Sequence, residues 1–260
     1  MRVPKGEYMK AVILAGGLGT RMREETEFRP KPMVEIGGKP VLWHIMKVLS
    51  SQGINDFVIC AGYKAEVIRD YFRNFRSRNL DFTVTYKGDG SIEFHGDLPE
   101  SNWRVTVADT GPLTMTGGRI KAIEHYVLGE RFLATYGDGI ADVNVAALLQ
   151  SHERSKALAT LTTTTPVSRF GVVNAAQDGT VKSFSEKPRG SEVVNIGYFI
   201  FEPQIFEFLG QNSVLEKEPL VELARLRRLN AFHHDGFWQP MDTQREAIAL
   251  NEIWELGAPW

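Results

Sequence analysis

The 260-residue chain predicts an α/β fold, a mainly parallel sheet flanked by helices with a β-rich carboxyl-terminal portion. Short runs rich in Val, Ile and Phe alternate with amphipathic stretches through the first half. Those runs are apolar almost throughout, as strands covered on both faces are. Past about residue 157 the texture changes to β-branched segments followed by two helical stretches.

Residues 10–14 read as the first strand, closed by the glycine-rich segment Ala15-Gly16-Gly17-Leu18-Gly19-Thr20-Arg21. Residues 40–51 read as a helix, with Pro40 suited to its first turn, Leu42, Ile45, Met46 and Leu49 on one face, and Gly53 after its end. Strand follows at 56–61, helix at 65–75, strands at 82–86 and 105–109, helix at 119–127, and a buried strand at 132–136. Later strands fall at 157–165, 171–174, 181–184 and 193–201; the threonines at 162–165 are β-branched strand, not low-complexity sequence. Helices near 216–228 and 243–254 flank residues 232–239, and the mixed charges of the first suit a half-solvated face. No linker or repeat interrupts this series. Residues 1–9 read as a short extension before a start at Met9, and residues 10–260 as one domain in which 156–260 complete a pocket begun by 10–155.

Charges nearly balance, at a formal net charge of −2, so no global basic field points to nucleic acid, and a phosphate ligand must be met by local charge. The one cysteine, Cys60, excludes an internal disulfide; in Phe57-Val58-Ile59-Cys60-Ala61 it reads as a buried strand residue and not a nucleophile. No run reaches the roughly 18–20 apolar residues of a membrane span, and residues 1–9 have no apolar signal-peptide centre. The expectation is a soluble cytoplasmic protein.

The glycine segment is the most informative feature. A strand end followed by glycines exposes backbone N–H groups that cradle phosphates, and Arg21 adds a planar fork of donors. It is not a Walker A loop, which needs Gly-Lys-Ser/Thr, nor a dinucleotide fingerprint, whose third glycine is replaced by Met22. Gly137-Asp138-Gly139 also follows a strand directly, so both turns are expected on the carboxyl rim of the sheet, where ligands of such folds collect. Asp138 and Asp242 each leave a strand-like segment and could together hold one Mg²⁺, although an Asp between glycines is also a common turn former. His233-His234 is a poor metal pair, because neighbours on a strand face opposite ways. Met33, Met46, Met115 and Met241 read as core or loop packing.

Leu-Ala-Gly-Gly-x-Gly-Thr-Arg with the later Lys31-Pro32 resembles the signature of the sugar-1-phosphate nucleotidylyltransferases. Further blocks carry the resemblance from about residue 10 to residue 243: Met33-Val34-Glu35-Ile36-Gly37-Gly38-Lys39-Pro40, Trp43-His44-Ile45-Met46, Thr114-Met115-Thr116-Gly117-Gly118-Arg119, Tyr136-Gly137-Asp138-Gly139 and Gly236-Phe237-Trp238-Gln239-Pro240-Met241-Asp242-Thr243. They are similar to the glucose-1-phosphate cytidylyltransferase branch, and the third and last blocks are specific to it. The resemblance implies a Rossmann-like fold of the nucleotide-diphospho-sugar transferase type. It implies CTP and glucose 1-phosphate as substrates, CDP-glucose and pyrophosphate as products, Mg²⁺ as cofactor, a homo-oligomer, no nucleic acid or membrane partner, and a downstream route to deoxysugars of surface polysaccharides such as O-antigen.

The same resemblance assigns roles. Arg21 would stabilise the leaving β,γ-phosphates and Lys31 the α-phosphate, while Leu14, Ala15, Gly16, Gly17, Leu18, Gly19, Thr20, Thr114, Arg119 and Gly139 would bind the nucleotide. Asp138 and Asp242 would hold the metal, and Glu186, Lys187, Asn195 and Arg169 the sugar phosphate. The attacking phosphate oxygen is already anionic near neutral pH, so alignment and charge neutralisation are needed and a general base is not. Arg119 is donor-only, which suits cytosine O2 or N3 and opposes the N3–H of uracil; Thr114 can donate or accept. The chain departs from the family at two points. Arg169-Phe170-Gly171 lacks the usual preceding Pro-Gly, and Ile196 stands where relatives commonly have a small residue beside the sugar. UTP, dTTP or another sugar 1-phosphate on the same fold, and a non-catalytic nucleotide-sugar-binding regulatory protein, are the alternatives.

Overall fold

The structure is a computed structural model that describes residues 9–88, 90–127, 129–167, 170–186, 190 and 192–260, apart from the side chains of residues 21, 23 and 24. In chain order, β1 (Lys10–Ala15) leads through the glycine segment, a 3-10 turn (Thr20–Met22) and α1 (Arg23–Thr26) to a second 3-10 turn, Lys31–Met33. A small hairpin of β2 (Glu35–Ile36) and β3 (Lys39–Pro40) precedes α2 (Val41–Ser51), β4 (Asp56–Ala61), α3 (Ala65–Arg73) and α4 (Phe75–Asn79). Then come β5 (Asp81–Val84), β6 (Ile92–His95), β7 (Arg104–Asp109), α5 (Thr116–Ala122), α6 (Glu124–Val127), β8 (Phe132–Tyr136), β9 (Gly139–Ala141) and α7 (Val145–Ser155). The remainder is β10 (Ala159–Thr164), β11 (Val172–Ala175), β12 (Val181–Ser185), β13 (Val194–Phe201), α8 (Glu218–Arg225), β14 (Leu229–His233), β15 (Trp238–Pro240) and α9 (Gln244–Glu255).

Seven strands form one sheet in the order β14-β10-β13-β8-β1-β4-β7. All its neighbours pair in parallel except β13, which runs antiparallel to β10 and β8. The sheet is therefore mixed and mostly parallel, with β13 from the carboxyl-terminal portion wedged between β10 and β8. Each face buries its own core. Ala11, Ile13 and Ile59 point to the side covered by α2, α7 and α9, whereas Val12, Leu14, Val58 and Cys60 point to the side covered by α5, α6 and α8. Two-sided burial is the reason these strands read as unbroken apolar runs.

Several sequence expectations meet corrections. The helix over 40–51 begins at Val41, because Pro40 belongs to the β2–β3 hairpin and stands in extended conformation before the first turn. The strand over 82–86 is β5, which pairs only with β6 outside the main sheet, its alternating residues largely solvated. The helix over 119–127 starts three residues early at Thr116 and is divided into α5 and α6 at Ile123. The sequence reading assigns no element to Val145–Ser155, yet α7 forms there, its amino end capped by the Asn144 side chain accepting from Ala147 N–H.

Candidate active site

The sheet reverses its order at β1, whose neighbours are β4 and β8. That switch point opens a crevice at the carboxyl ends of the strands. Leu14 lies beside Tyr136 in register, and Gly137 N–H donates to the Leu14 carbonyl at 2.9 Å. The glycine turn and the Gly137-Asp138-Gly139 turn thus share one rim. Between them lies a cleft of about 220 Å³ lined by Leu14, Ala15, Gly17, Gly19, Thr20, Lys31, Pro32, Asp138 and Asp242. Gly19 turns the loop at φ +62, a left-handed conformation that a side chain disfavours. Thr26 fixes that turn by donating its hydroxyl to the Gly19 carbonyl at 3.0 Å and the Met22 carbonyl at 2.9 Å.

Lys31 is the centre of the cleft's charge. Its Nζ lies 2.7 Å from Asp138 Oδ2 and 2.5 Å from Asp242 Oδ1, with the side chain 11% exposed. Burial works against its charge, but the two carboxylates outweigh burial and hold its pKa above the ordinary 10.5. The backbone brings the carboxylates together. Trp238–Pro240 pairs antiparallel with Gly139–Ala141, and Met241 N–H donates to the Asp138 carbonyl at 2.9 Å. Asp242 in turn precedes α9, where Glu246 accepts from the N–H groups of Asp242 and Thr243 at 2.7 and 2.9 Å while Thr243 caps the helix. The capping box therefore sets where Asp242 stands.

These donors fit a hard divalent cation. Two carboxylates converge on one positive point, both partly open to solvent, and no cluster of three or more His, Cys, Asp or Glu forms among the described residues. A cation held this way keeps positions for water and phosphate oxygens, the mode suited to a phosphate-activating metal and not to an all-protein cage.

Arg119 departs from expectation. It is buried, and its guanidinium faces inward instead of the cleft. Nη1 donates to Thr110 Oγ1 at 2.6 Å and the Gly111 carbonyl at 2.8 Å, and Nη2 donates to the Gly16 carbonyl at 2.9 Å. Longer bonds reach the carbonyls of Ala61 and Pro112. A side chain at Gly16 would collide with it, a Cβ falling 2.1 Å from the guanidinium carbon. In this arrangement Arg119 ties the glycine loop to the ends of β4 and β7. Buried carbonyls left without donors are costly, and here they take these N–H groups. Thr114 lies next to Gly111, on the loop that Arg119 secures.

The sugar side is assembled differently. Glu186 follows β12, a strand exposed at every residue, and Asn195 is exposed on β13, its Oδ1 accepting from Gly197 N–H at 2.9 Å. Ile196, where relatives commonly have a small residue, is 6% exposed and packs in the core on the α2, α7 and α9 side of the sheet. The Arg21 side chain, Arg169 and Lys187 lie outside the described residues. Leu18 is exposed beside the glycine loop, and Gly139 is half-buried in β9.

Cys60 is fully buried, which pushes its thiol up to about 12 and leaves it unreactive. His233 and His234 do face different ways. His233 lies exposed near Asp235, while His234 is buried, with Nε2 3.1 Å from both Asp142 Oδ1 and the Phe237 carbonyl. Met33, Met46 and Met241 are core, and Met115 is an exposed loop residue. Sequence reasoning missed the Thr110–Gly111 segment and the Glu246 cap. The available signals were an Asp-Thr-Gly-Pro turn directly after a strand and the Thr243-x-x-Glu246 spacing.

Comparison with known proteins places these features. A family model described as Nucleotidyl transferase matches residues 10–229. A glucose-1-phosphate cytidylyltransferase of Salmonella typhi is 50% identical over 97% of this chain and 98% of its own length. A probable glucose-1-phosphate cytidylyltransferase of Bacillus subtilis is 41% identical over 96% and 97%. Among solved structures, HddC from Yersinia pseudotuberculosis superposes with a TM-score of 0.68 at 23% identity, covering 95% of this chain and 99% of its own. A UDP-glucose pyrophosphorylase crystal structure gives 0.66 at 19% identity, with 96% and 99% covered. At these identities the structural likeness speaks to the fold.

Proposed function

The chain belongs to the nucleotidyl transferase family, and on that premise we propose that it is a glucose-1-phosphate cytidylyltransferase, moving a cytidylyl group from CTP to α-D-glucose 1-phosphate with release of pyrophosphate. The observation that carries this reading is the convergence of Lys31, Asp138 and Asp242 on the glycine loop at the sheet's switch point. Near-full-length identity to two cytidylyltransferases supports the choice of base and sugar.

In the proposed reaction an oxygen of glucose 1-phosphate attacks the α-phosphorus in line, and pyrophosphate leaves. The backbone from Leu14 to Thr20 cradles the triphosphate, with room supplied by Gly17 and Gly19, while Gly16 leaves space for Arg119 behind the loop. Lys31 neutralises the α-phosphate, and Arg21 the leaving phosphates. Asp138 and Asp242 hold a divalent cation, Mg²⁺ in our reading, which when bound spreads and neutralises phosphate charge. Arg119 and Thr114 shape the wall against the base. Glu186, Lys187, Asn195 and Arg169 receive the sugar phosphate. Among the described residues no helix is long and apolar enough to cross a membrane; a cytoplasmic homo-oligomer supplying CDP-glucose for deoxysugar synthesis completes the proposal.

The test is pyrophosphate release by purified protein with Mg²⁺ across nucleoside triphosphates and hexose 1-phosphates. Release with CTP and glucose 1-phosphate above every other pair is expected. Clear release only with another pair overturns the substrates, and release with none overturns the enzyme reading.

A further inference from the structure

Lys31 stands in two places at once in the scheme above. As a phosphate ligand it must reach into the cleft; in the structure its ammonium is spent on both metal carboxylates. Asp138 and Asp242 are drawn together by backbone, through the Met241–Asp138 bond and the Glu246 cap. Two ionised carboxylates so placed repel each other unless a cation lies near both. Among the described residues, Lys31 lies within reach of both. Its backbone is fixed in the Lys31–Met33 turn, with Pro30 before and Pro32 after and Val34 N–H bonded to its carbonyl at 3.1 Å. What remains free to move is the four-carbon stem that carries the charge.

From this geometry we infer that Lys31 is a positioning residue for the metal pair: its ammonium holds Asp138 and Asp242 until a phosphate draws it away, and divalent-metal affinity is thereby conditional on nucleotide. The proposal rests on the reading of Asp138 and Asp242 as the metal ligands. With Lys31 in place, the three side chains sum to a charge of −1, a weak attraction for a dication; with Lys31 displaced onto phosphate, the pair presents −2. Reciprocity follows, since whatever metal affinity the phosphate adds, the metal adds to phosphate affinity.

The test measures Mn²⁺ binding by loss of the free-ion electron paramagnetic resonance signal, with no glucose 1-phosphate and hence no turnover. The full chain is titrated with Mn²⁺ alone and with saturating CMP, which carries the one phosphate assigned to Lys31. In the unaltered protein CMP should tighten Mn²⁺ by about tenfold, a usual size for coupling between sites. In Lys31→Met, Mn²⁺ alone should already bind about tenfold tighter than to the unaltered protein, with little further gain from CMP. Lys31→Gln, which keeps a polar tip, should behave as Lys31→Met does, and Lys31→Arg should restore the nucleotide dependence. Equal Mn²⁺ affinity with and without CMP in the unaltered protein overturns the proposal. So does the same CMP-induced gain in both proteins, the result expected from bulk charge alone. Asp138→Asn is the control for the underlying reading: unchanged Mn²⁺ binding there refutes the metal pair itself, whereas lost binding there beside an unaltered response in Lys31→Met refutes only the role of Lys31.

Discussion

The parallel strands around β1 and the β11–β12 ribbon are built on opposite physical terms. Five of six residues in β1 and in β4 are buried, on two faces of a sheet with a core on each side. Every residue of β11 and β12 is exposed, and the two strands pair only with each other. The first region delivers the glycine loop, Asp138 and Lys31 to one cleft; the second delivers Glu186. A packed scaffold fixes charged groups within tenths of an ångström, as catalysis by alignment requires. A ribbon with few buried apolar contacts opens at low free energy, the property of elements that adjust to a ligand. On the proposed function, the phosphate chemistry lies on the rigid side, and the compliant ribbon carries Glu186 toward the sugar.

Four outcomes would sharpen or break that contrast. The largest effect is expected at the carboxylates: Asp242→Asn should lower turnover by about 10²–10³-fold, the size of losing one preorganised electrostatic group. Melting should barely change, and a matching collapse in stability would mean that the group is structural. Next, Ile59→Ala should destabilise by about 2–5 kcal/mol as a core truncation, whereas Phe184→Ala, 62% exposed, should cost less than about 0.5 kcal/mol. Phe184→Ala should instead raise KM for glucose 1-phosphate more than for CTP. Denaturant melts and steady-state kinetics check both, and equal destabilisation would erase the contrast between the two regions.

Arg119→Ala should destabilise by about 1–3 kcal/mol through orphaned carbonyls, and should raise KM for CTP and UTP by the same factor. A selective loss against CTP would restore the direct base reader. The smallest effect is in pH. Burial holds the pKa of His44 and His152 below the ordinary 6.5. The unfolded chain therefore takes up protons first, so this part of stability is intact above about pH 6.5 and declines as pH falls toward the folded values. Melting temperature should fall on the acid side of neutrality, less steeply in His152→Asn; an unchanged slope in that variant would remove His152 from the account.

Much of this was legible in the sequence. Asp56–Ala61 and Phe132–Tyr136 are strands at the expected residues because two-sided burial writes an unbroken apolar run. Gly19 announced its turn because left-handed backbone selects glycine. Lys31, Asp138 and Asp242 could be named individually, 107 and 104 residues apart in succession, but their common point could not. The inward partners of Arg119 were hidden for a related reason. A sequence shows an arginine's donors, whereas the carbonyls of Gly16, Ala61 and Gly111 that claim them come from three separate segments.

The sequence by itself determined the fold class, the glycine-rich turn after β1 and the identities of the charged residues, since periodicity, turn chemistry and donor type are local properties. Tertiary structure alone decided that Lys31 lies between the two carboxylates, that Arg119 faces inward and that Ile196 joins the core. Those outcomes depend on which distant groups the packed sheet brings within hydrogen-bond reach, and on which way each side chain then finds its partners.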